Sequence, residues 1–367
     1  MADRIVIAAV GDVIVTRPLG PGVLLTPLRN ADYRVGNLEG PITDKGTPAD
    51  KPITLRMPAG ASRWLRELGL DAVSLANNHT LDYGVDGLQD TLAELRAAGI
   101  GYAGAGSNLE ESLRPHIAYV KGVRVAQVCL AATIPPGFAA GPGRPGIAPV
   151  RVRVSFGCDG SISEEQPGTP PWVHTQVVEE ALETARRAVA FARQEADIVL
   201  VQMHWGVPPE WNSPFQGALA EYQRPLAHAL VDAGADVILG HHPHAPQGVE
   251  IYGEGIILYS LGNFIFHPYT DREALTLQRP APPYQVAHTE KNRYSLVARL
   301  HFGRADSSWR LEQVELVPGW LNENAEAEAV EEPWAQRIFA AVEESTATVN
   351  ASLKMTDGRA WVVRPEQ

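Results

Sequence analysis

The stretch Val237-Ile238-Leu239-Gly240-His241-His242-Pro243-His244 decides how the rest of the chain is interpreted. Its apolar start predicts a buried strand, and three imidazoles follow within four positions. Imidazole is a common ligand of first-row transition metals, and the end of a strand holds its side chains rigidly. The cluster therefore predicts half of a metal site at the carboxyl edge of a sheet. Taken alone, it is also typical of a His-rich surface turn.

The same pattern, an apolar run that ends in a polar side chain, recurs along the chain. It ends at Asp12, at Glu39, at Asn78-His79 and at His204. Because parallel strands present their carboxyl ends at one edge of a sheet, these side chains are expected to converge on one crevice. Taken singly, Asp12 and Asn78 can cap turns, and His204 can be a hydrogen-bonded core histidine. Their shared position at strand ends favours a common site.

The periodicity between these ends predicts an α/β fold. Short apolar runs such as Arg4 to Val10 alternate with helical spacing, as at 61–70 and 88–98. This alternation indicates a parallel or mixed sheet layered with helices.

Two stretches rich in Pro or polar residues, near 135–172 and 267–293, interrupt the alternation. We expect them to lie outside the regular layers and to border the mouth of the site, with a small hairpin in the first. Residues 1–320 are predicted to form one catalytic domain that contains both insertions. Residues 321–367 are predicted to be a helical extension packed on it, with a helix over 333–353 and a last short strand at Trp361 to Val363.

Composition limits the location and the partners of the protein. The 367 residues are 45% hydrophobic and carry a formal net charge of −12. The acidic balance argues against nucleic acid or an anionic membrane as the main partner. The start of the chain resembles no targeting segment and no apolar run is long enough for a bilayer, so a cytoplasmic location is predicted. The sequence does not define an oligomeric state.

The candidate ligands form a mixed set of oxygen and nitrogen donors. They are Asp12, Glu39, Asn78, His204, His242 and His244. Such a set suits Mn, Fe, Co, Zn or Ni better than Ca or Mg, which prefer oxygen alone. Six ligands exceed what one ion with an open position needs, so one or two ions are expected, a pair sharing a carboxylate. No organic cofactor is predicted.

Six motifs in order resemble those of the CapA family, which is named for poly-γ-glutamate capsule biosynthesis. They are Gly11-Asp12, Asn37-Leu38-Glu39-Gly40, Ser74 to His79 with Asp82-Tyr83-Gly84, His204-Trp205-Gly206, Gly240 to His244, and Tyr259 to Phe264. The family belongs to the calcineurin-like metallophosphoesterase superfamily. The resemblance implies a four-layer α/β/β/α metallophosphoesterase-like sandwich with a dinuclear type of metal site.

The resemblance also implies roles for single residues. Glu39 would bridge two metals; Asn78, His204 and His242 would hold one, and Asp12 with His244 the other. His79 would stand where the superfamily keeps an acid/base histidine. The chain departs from the superfamily in having Asp12-Val13-Ile14 in place of Asp-x-His, which removes one nitrogen ligand, and in having Glu39 in place of the usual bridging Asp.

Three enzyme functions and one binding function follow. The protein is interpreted first as a metal-dependent enzyme with a peptide substrate, an epimerase that inverts a Cα of a lasso-peptide precursor, as some soluble CapA-like proteins do. Asp12, His79 and His288 are its candidate acid/base groups. The alternatives are a metal-dependent hydrolase of phosphoester or amide bonds, a role in poly-γ-glutamate biosynthesis, and a binding module without catalysis.

Overall fold

The computed structural model describes residues 3–211, 217–267, 290–306, 308–345 and 347–364. In this part of the chain the strands are β1 (Arg4–Ile14), β2 (Tyr33–Leu38), β3 (Ala72–Ser74), β4 (Gly101–Ala103), β5 (Ala105–Gly106), β6 (His116–Val120), β7 (Val123–Ala131), β8 (Gly146–Ile147), β9 (Val152–Gly157), β10 (Trp172–Val177), β11 (Ile198–His204), β12 (Val237–His241), β13 (Val249–Tyr252), β14 (Gly255–Leu258), β15 (Asn263–Phe266), β16 (Tyr294–Ala305), β17 (Ser308–Leu321), β18 (Ala327–Ala329), β19 (Ser352–Thr356) and β20 (Arg359–Val363). The α-helices are α1 (Thr26–Arg29), α2 (Ser62–Leu68), α3 (Gly84–Ala98), α4 (Leu109–Leu113), α5 (Gly160–Glu165), α6 (Glu179–Glu195), α7 (Gln223–Asp232) and α8 (Glu332–Glu343).

Two large sheets organise these elements. The first sheet has the order β19-β20-β17-β16-β1-β2-β3-β4, and β15 and β18 pair with β1 and β17. The second sheet has the order β13-β14-β12-β11-β7-β6. The strands from β1 to β4 are parallel to one another, as are β7, β11, β12 and β14. Each sheet therefore presents the carboxyl ends of several strands at one edge.

Apolar side chains join the sheets and helices into four layers. Ile7 and Val35 of the first sheet share a core with Leu200 and Leu239 of the second. A second core packs α2 and α3 on the outer face of the first sheet, and a third packs α6 and α7 on the outer face of the second. Strand β11 is buried along its whole length, as its continuous apolar run predicts. The predicted α/β/β/α sandwich is confirmed.

The first insertion, near 135–172, has its own secondary structure. Strand β8 pairs with β5, and β9 forms the predicted hairpin with β10, although the short helix α5 lies between the two strands. Most of the second insertion, near 267–293, lies outside the described residues. Its last four residues, Glu290–Arg293, form a 3-10 turn before β16.

The C-terminal helix is shorter than predicted, whereas the short strand predicted at Trp361 to Val363 is found within β20. Helix α8 ends at Glu343, and the predicted span to Leu353 is wrong because the chain there pairs with strands. The backbone N–H of Val349 donates to the carbonyl oxygen of Val249 in β13. Strands β19 and β20 then form a hairpin that extends the first sheet beside β17.

None of the described helices is both long and apolar enough to cross a membrane. The cytoplasmic location stays a prediction.

Candidate metal centre

The six candidate ligands meet at one rim of the sandwich. Three come from the first sheet and its loops and three from the second; they are Asp12 in β1, Glu39 after β2, Asn78 after β3, His204 at the end of β11, and His242 and His244 after β12. Asp12, Glu39 and His204 are almost completely buried. The parallel strands thus bring together residues that lie more than 200 positions apart in the chain.

The ligand atoms form two groups that share Glu39. One group is Glu39, His204 and His242, and the other is Asp12, Glu39 and His244; in each, the ligand atoms lie within 4.8 Å of one another. Nε2 of His204 lies 3.5 Å from Oε1 of Glu39, and Nε2 of His244 lies 3.7 Å from the same atom. The groups divide the residues as the family resemblance does. Their role as ligands stays a prediction.

Asn78 lies beside the first group. Its side-chain oxygen is 2.7 Å from Nε2 of His204. A carbonyl oxygen next to an imidazole nitrogen is a mixed donor pair of the kind that transition metals accept.

Glu39 provides the test of whether these residues fit a metal. Its side chain is fully buried, and neither carboxylate oxygen has a hydrogen-bond partner among the described residues. The buried Nδ1 atom of His242 also has no hydrogen-bond partner among the described residues. Buried carboxylates are normally hydrogen-bonded, paired or bound to metal. The donor set therefore fits a divalent metal.

The backbone around the histidines is strained. His242 and His244 have φ angles of 96° and 55°, in the left-handed region that non-glycine residues seldom adopt. Strain of this kind persists only where the surroundings enforce it, and it concentrates at functional sites. Gly240 is required just before them, because a Cβ there would lie 1.9 Å from the carbonyl oxygen of Tyr259.

Asp12 is held by polar neighbours on several sides. The side-chain amide of Asn37 donates to Oδ1 at 2.9 Å, and Nδ1 of His241 lies 3.3 Å from the same oxygen. Nδ1 of His244 lies 3.4 Å from Oδ2 and 2.8 Å from Oδ1 of Asn263. Asn37 and His241 were not among the predicted site residues, although both lie within the quoted motifs.

His79 belongs to a buried cluster with Asp82 and Lys51 that the sequence did not reveal. Its Nδ1 lies 2.6 Å from Oδ2 of Asp82, and Nζ of Lys51 lies 2.7 Å from Oδ1 of the same carboxylate. With Nδ1 donating to Asp82, Nε2 is the basic atom of the imidazole. His288, the third predicted acid/base group, lies outside the described residues.

Burial and mutual charge separate the pKa values in the centre. Burial raises the pKa of Glu39 well above its usual value, and the nearby charge of Asp12 adds to this. Burial also lowers the pKa of His242 to about 3, with a contribution from the charge of His244. For His244, burial opposes protonation, but Glu39 and Asp12 outweigh it and raise the pKa to about 10. Neighbouring groups whose pKa values are shifted in opposite directions are typical of functional sites.

The pKa of Asp12 lies well below its usual range. Burial alone would raise it, but hydrogen bonds with His241 and His244 outweigh that effect. Burial lowers the pKa of His79, against the opposing charge of Asp82. Asp12 is thus held as a carboxylate, which suits a ligand, and His79 as a neutral base.

Fold and site together define a class: α/β/β/α sandwiches in which carboxylates and histidines at the strand ends can hold divalent metal. Within that class, the chain belongs to the family described as bacterial capsule synthesis protein PGA_cap, whose sequence profile matches residues 6–268. The resemblance predicted from the motifs is confirmed.

Curated relatives share about a third of their aligned residues with this chain. The PGA biosynthesis protein CapA of Bacillus subtilis (strain 168) is 35% identical over 242 residues, which is 65% of this chain and 54% of that protein. The capsule biosynthesis protein CapA of Bacillus anthracis is 36% identical over 243 residues, 65% of this chain and 51% of that protein. A probable polyglutamine synthesis accessory protein of Mycobacterium tuberculosis is 32% identical over 253 residues, 68% of this chain and 59% of that protein.

The chain spans about half the length of the first two of these relatives. Among solved structures, the calcineurin-like phosphoesterase YfkN from Bacillus subtilis aligns with a TM-score of 0.41 and 14% identity, covering 93% of this chain and 96% of that one.

Proposed function

We propose that this protein is a metal-dependent hydrolase that cleaves amide bonds in a glutamyl peptide or polymer. The observation that carries the proposal is the pair of ligand groups sharing Glu39, whose oxygens are buried without hydrogen-bond partners among the described residues. The substrate class follows the relatives, which are named for poly-γ-glutamate and polyglutamine synthesis, because such polymers are joined by amide bonds.

In this proposal, six residues of the site hold the metal. One or two ions of Mn, Fe, Co, Zn or Ni would be held by these residues: Glu39 with His204, His242 and Asn78, and Glu39 with Asp12 and His244. A bound ion of this kind polarises a substrate carbonyl and acidifies water.

His79 and Asp82 supply the proton transfer. Asp82 accepts a hydrogen bond from the Nδ1–H group of His79 and fixes the orientation of the ring, as a carboxylate does for a catalytic histidine. Nε2 takes the proton of the attacking water and returns it to the leaving nitrogen. Water adds to the carbonyl carbon, the C–N bond breaks, and the products are a carboxylate and an amine.

Cα epimerisation, the first interpretation of the sequence, makes a different demand on the site. It needs a base on each face of the reacting carbon. Asp12 is fully buried, accepts a hydrogen bond from Asn37 and lies 3.3 Å from Nδ1 of His241, which suits a ligand better than a base that meets substrate. The relatives' names favour the glutamate-polymer alternative. Epimerisation stays a prediction that the experiment below also tests.

The test is to incubate metal-loaded protein with poly-γ-glutamate in deuterated water and to follow the chain length and the deuterium at Cα. We expect new amino termini that require metal and disappear with a chelator. Deuterium at Cα without cleavage would replace the proposal with epimerisation. A bis(4-nitrophenyl) phosphate assay run in parallel tests the phosphoesterase alternative, and cleavage of that ester alone would overturn the amide proposal.

A further inference from the structure

Lys51 touches three residues of one turn at the metal centre. It lies in the loop between β2 and α2, and its side chain is 14% exposed. Nζ lies 2.7 Å from Oδ1 of Asp82 and donates to the backbone oxygen of Asn78 at 2.5 Å. It also lies 3.2 Å from Nδ1 of His79. A single ammonium thus contacts the start, the middle and the end of the turn.

That turn, residues 77–82, carries two groups of the site. One is the side-chain oxygen of Asn78, beside His204, and the other is the imidazole of His79. Other bonds hold the far side of the turn: the backbone N–H of Leu55 donates to Oδ2 of Asp82, and the backbone N–H of His79 donates to the side chain of Asn77. Lys51 supplies the donors for Oδ1 of Asp82 and for the carbonyl oxygen of Asn78.

These contacts are of a strong kind. Hydrogen bonds from an ammonium to a carboxylate are charge-assisted, and a buried cation is tolerated only when it is paired. Nζ also lies 5.4 Å from the centre of the Phe138 ring, within the range of a cation–π contact. Phe138 belongs to the first insertion, so the ammonium connects that insertion to the turn. Removing the ammonium would leave Oδ1 of Asp82 and the carbonyl oxygen of Asn78 without this donor.

We propose that Lys51 is a positioning residue for the metal centre. Its ammonium fixes the turn 77–82, so that the Asn78 amide stays beside His204 and the His79 imidazole keeps its orientation towards Asp82. The effect on His79 rests on the proposed hydrolase function, whereas the effect on Asn78 concerns metal binding alone.

The experiment compares Lys51→Met with Lys45→Met in the full chain. Lys45 lies in the same loop, but its side chain is 72% exposed and pairs with Asp90, which is not a candidate ligand. Mn²⁺ affinity is measured by titration calorimetry, and the absorption spectrum of bound Co²⁺ reports the coordination geometry. We expect Lys51→Met to weaken one Mn²⁺ site about 10- to 100-fold, as loss of a group that orients a ligand does, and to change the Co²⁺ spectrum. Lys45→Met is expected to match the wild type.

The outcomes separate this proposal from the proposed function. Unchanged Mn²⁺ affinity and Co²⁺ spectrum in Lys51→Met overturn the positioning role, as does an equal loss in Lys45→Met. If wild type binds metal but cleaves no amide, the hydrolase proposal fails and the Asn78 effect still decides the role of Lys51. If wild type cleaves amides, Lys51→Met should lower kcat more than it changes KM, and Lys51→Arg should restore part of kcat. Should Lys51→Met lack the wild-type circular dichroism spectrum, Lys51→Gln takes its place under the same criteria.

Discussion

At the scale of single residues, the buried carboxylate of Glu39 is the group that most needs a bound cation. Both carboxylate oxygens are buried, the described residues offer them no hydrogen bond, and the pKa is raised well above its usual value. An ionised carboxylate in such a place costs several kcal/mol unless a cation compensates it. A bound metal would supply that cation, and the Nε2 atoms of His204 and His244 lie 3.5 Å and 3.7 Å from Oε1 of Glu39.

Replacing Glu39 with Gln should therefore remove metal with little change of shape. The amide keeps the volume but lacks the negative charge that both ligand groups share. We expect bound Mn²⁺, measured by mass spectrometry of the loaded protein, to fall to at most half of the wild-type content. Glu326→Gln is the matched control, since Glu326 is equally buried but pairs with His267 outside the centre. Full occupancy in Glu39→Gln would remove Glu39 from the ligand set.

His79→Gln should separate proton transfer from metal binding. The amide cannot accept and release the proton, while the proposed ligands are unchanged. We expect kcat for amide cleavage to fall about 100-fold or more, with metal content retained, because general acid–base catalysis contributes about 10²–10⁴-fold. His116→Gln, in β6, controls for removal of a half-buried imidazole elsewhere. Equal kcat values for wild type and His79→Gln would argue against this role.

At the scale of elements, the strand ends were the predictable part of the site. Short apolar runs followed by Asp12, His204 or His242 predict buried parallel strands, and the geometry of parallel sheets then brings their ends together. Lys51 could not be found in this way. It lies in a loop without periodicity, and its partners Asn78 and Asp82 are more than 25 positions away, so only the folded chain brings them into contact.

The C-terminal helix shows where a local sequence pattern predicts too much regular structure. Residues 344–353 continue an Ala- and Leu-containing pattern that is compatible with a helix, yet Val349 pairs with the edge of β13 and Ala347 is fully buried. Local pattern cannot report a free strand edge elsewhere in the fold, and tertiary pairing overrides helix propensity there.

The close approach of Gly11 in β1 to Gly262, just before β15, gives a test at the scale of elements. A Cβ on Gly11 would lie 1.8 Å from the carbonyl oxygen of Gly262, next to Asn263, which bonds His244. We expect Gly11→Ala to lower the free energy of unfolding by about 1–3 kcal/mol, the usual cost of overpacking, and to weaken Mn²⁺ binding. Gly143→Ala, where an added Cβ meets nothing within 4 Å, should leave both unchanged. Urea denaturation and calorimetry measure the two effects.

An ion cluster around the buried carboxylate of Glu315 joins strands β16, β17 and β20 and makes stability depend on pH. Burial opposes ionisation of Glu315, but His301 and Arg299, with help from Arg359, outweigh it and lower the pKa of Glu315 to about 2. Because the folded pKa lies below the unfolded value of 4.5, the stabilisation is complete above the unfolded pKa and is lost as pH falls towards 2.

Wild type should accordingly lose about 2 kcal/mol of unfolding free energy from this group between pH 5 and pH 3. Glu315→Gln should lack that component when urea denaturation is compared at the two pH values. Glu312→Gln, a neighbouring change at a more exposed ion pair with Arg4, should follow the wild type. Identical pH dependence in wild type and Glu315→Gln would refute the assignment.

For the whole molecule, the candidate centre lies where the two sheets face each other. A ligand that binds only the folded state stabilises it by about 2.7 kcal/mol at 100 times its Kd. We expect saturating Mn²⁺ to raise the Tm by several degrees in wild type and by much less in Glu39→Gln. Scanning calorimetry with and without a chelator measures this, and an unchanged wild-type Tm would mean that metal does not bind this rim in the folded state.

The even division of the ligands between the sheets has a kinetic consequence. An ion held by Asp12 and His244 with Glu39, or one held by Asn78, His204 and His242 with Glu39, would take its ligands from both sheets. Its release would require contacts with both sheets to break. The rate at which excess chelator removes the ion would then report how often the two sheets separate at this rim, and it can be measured without any substrate.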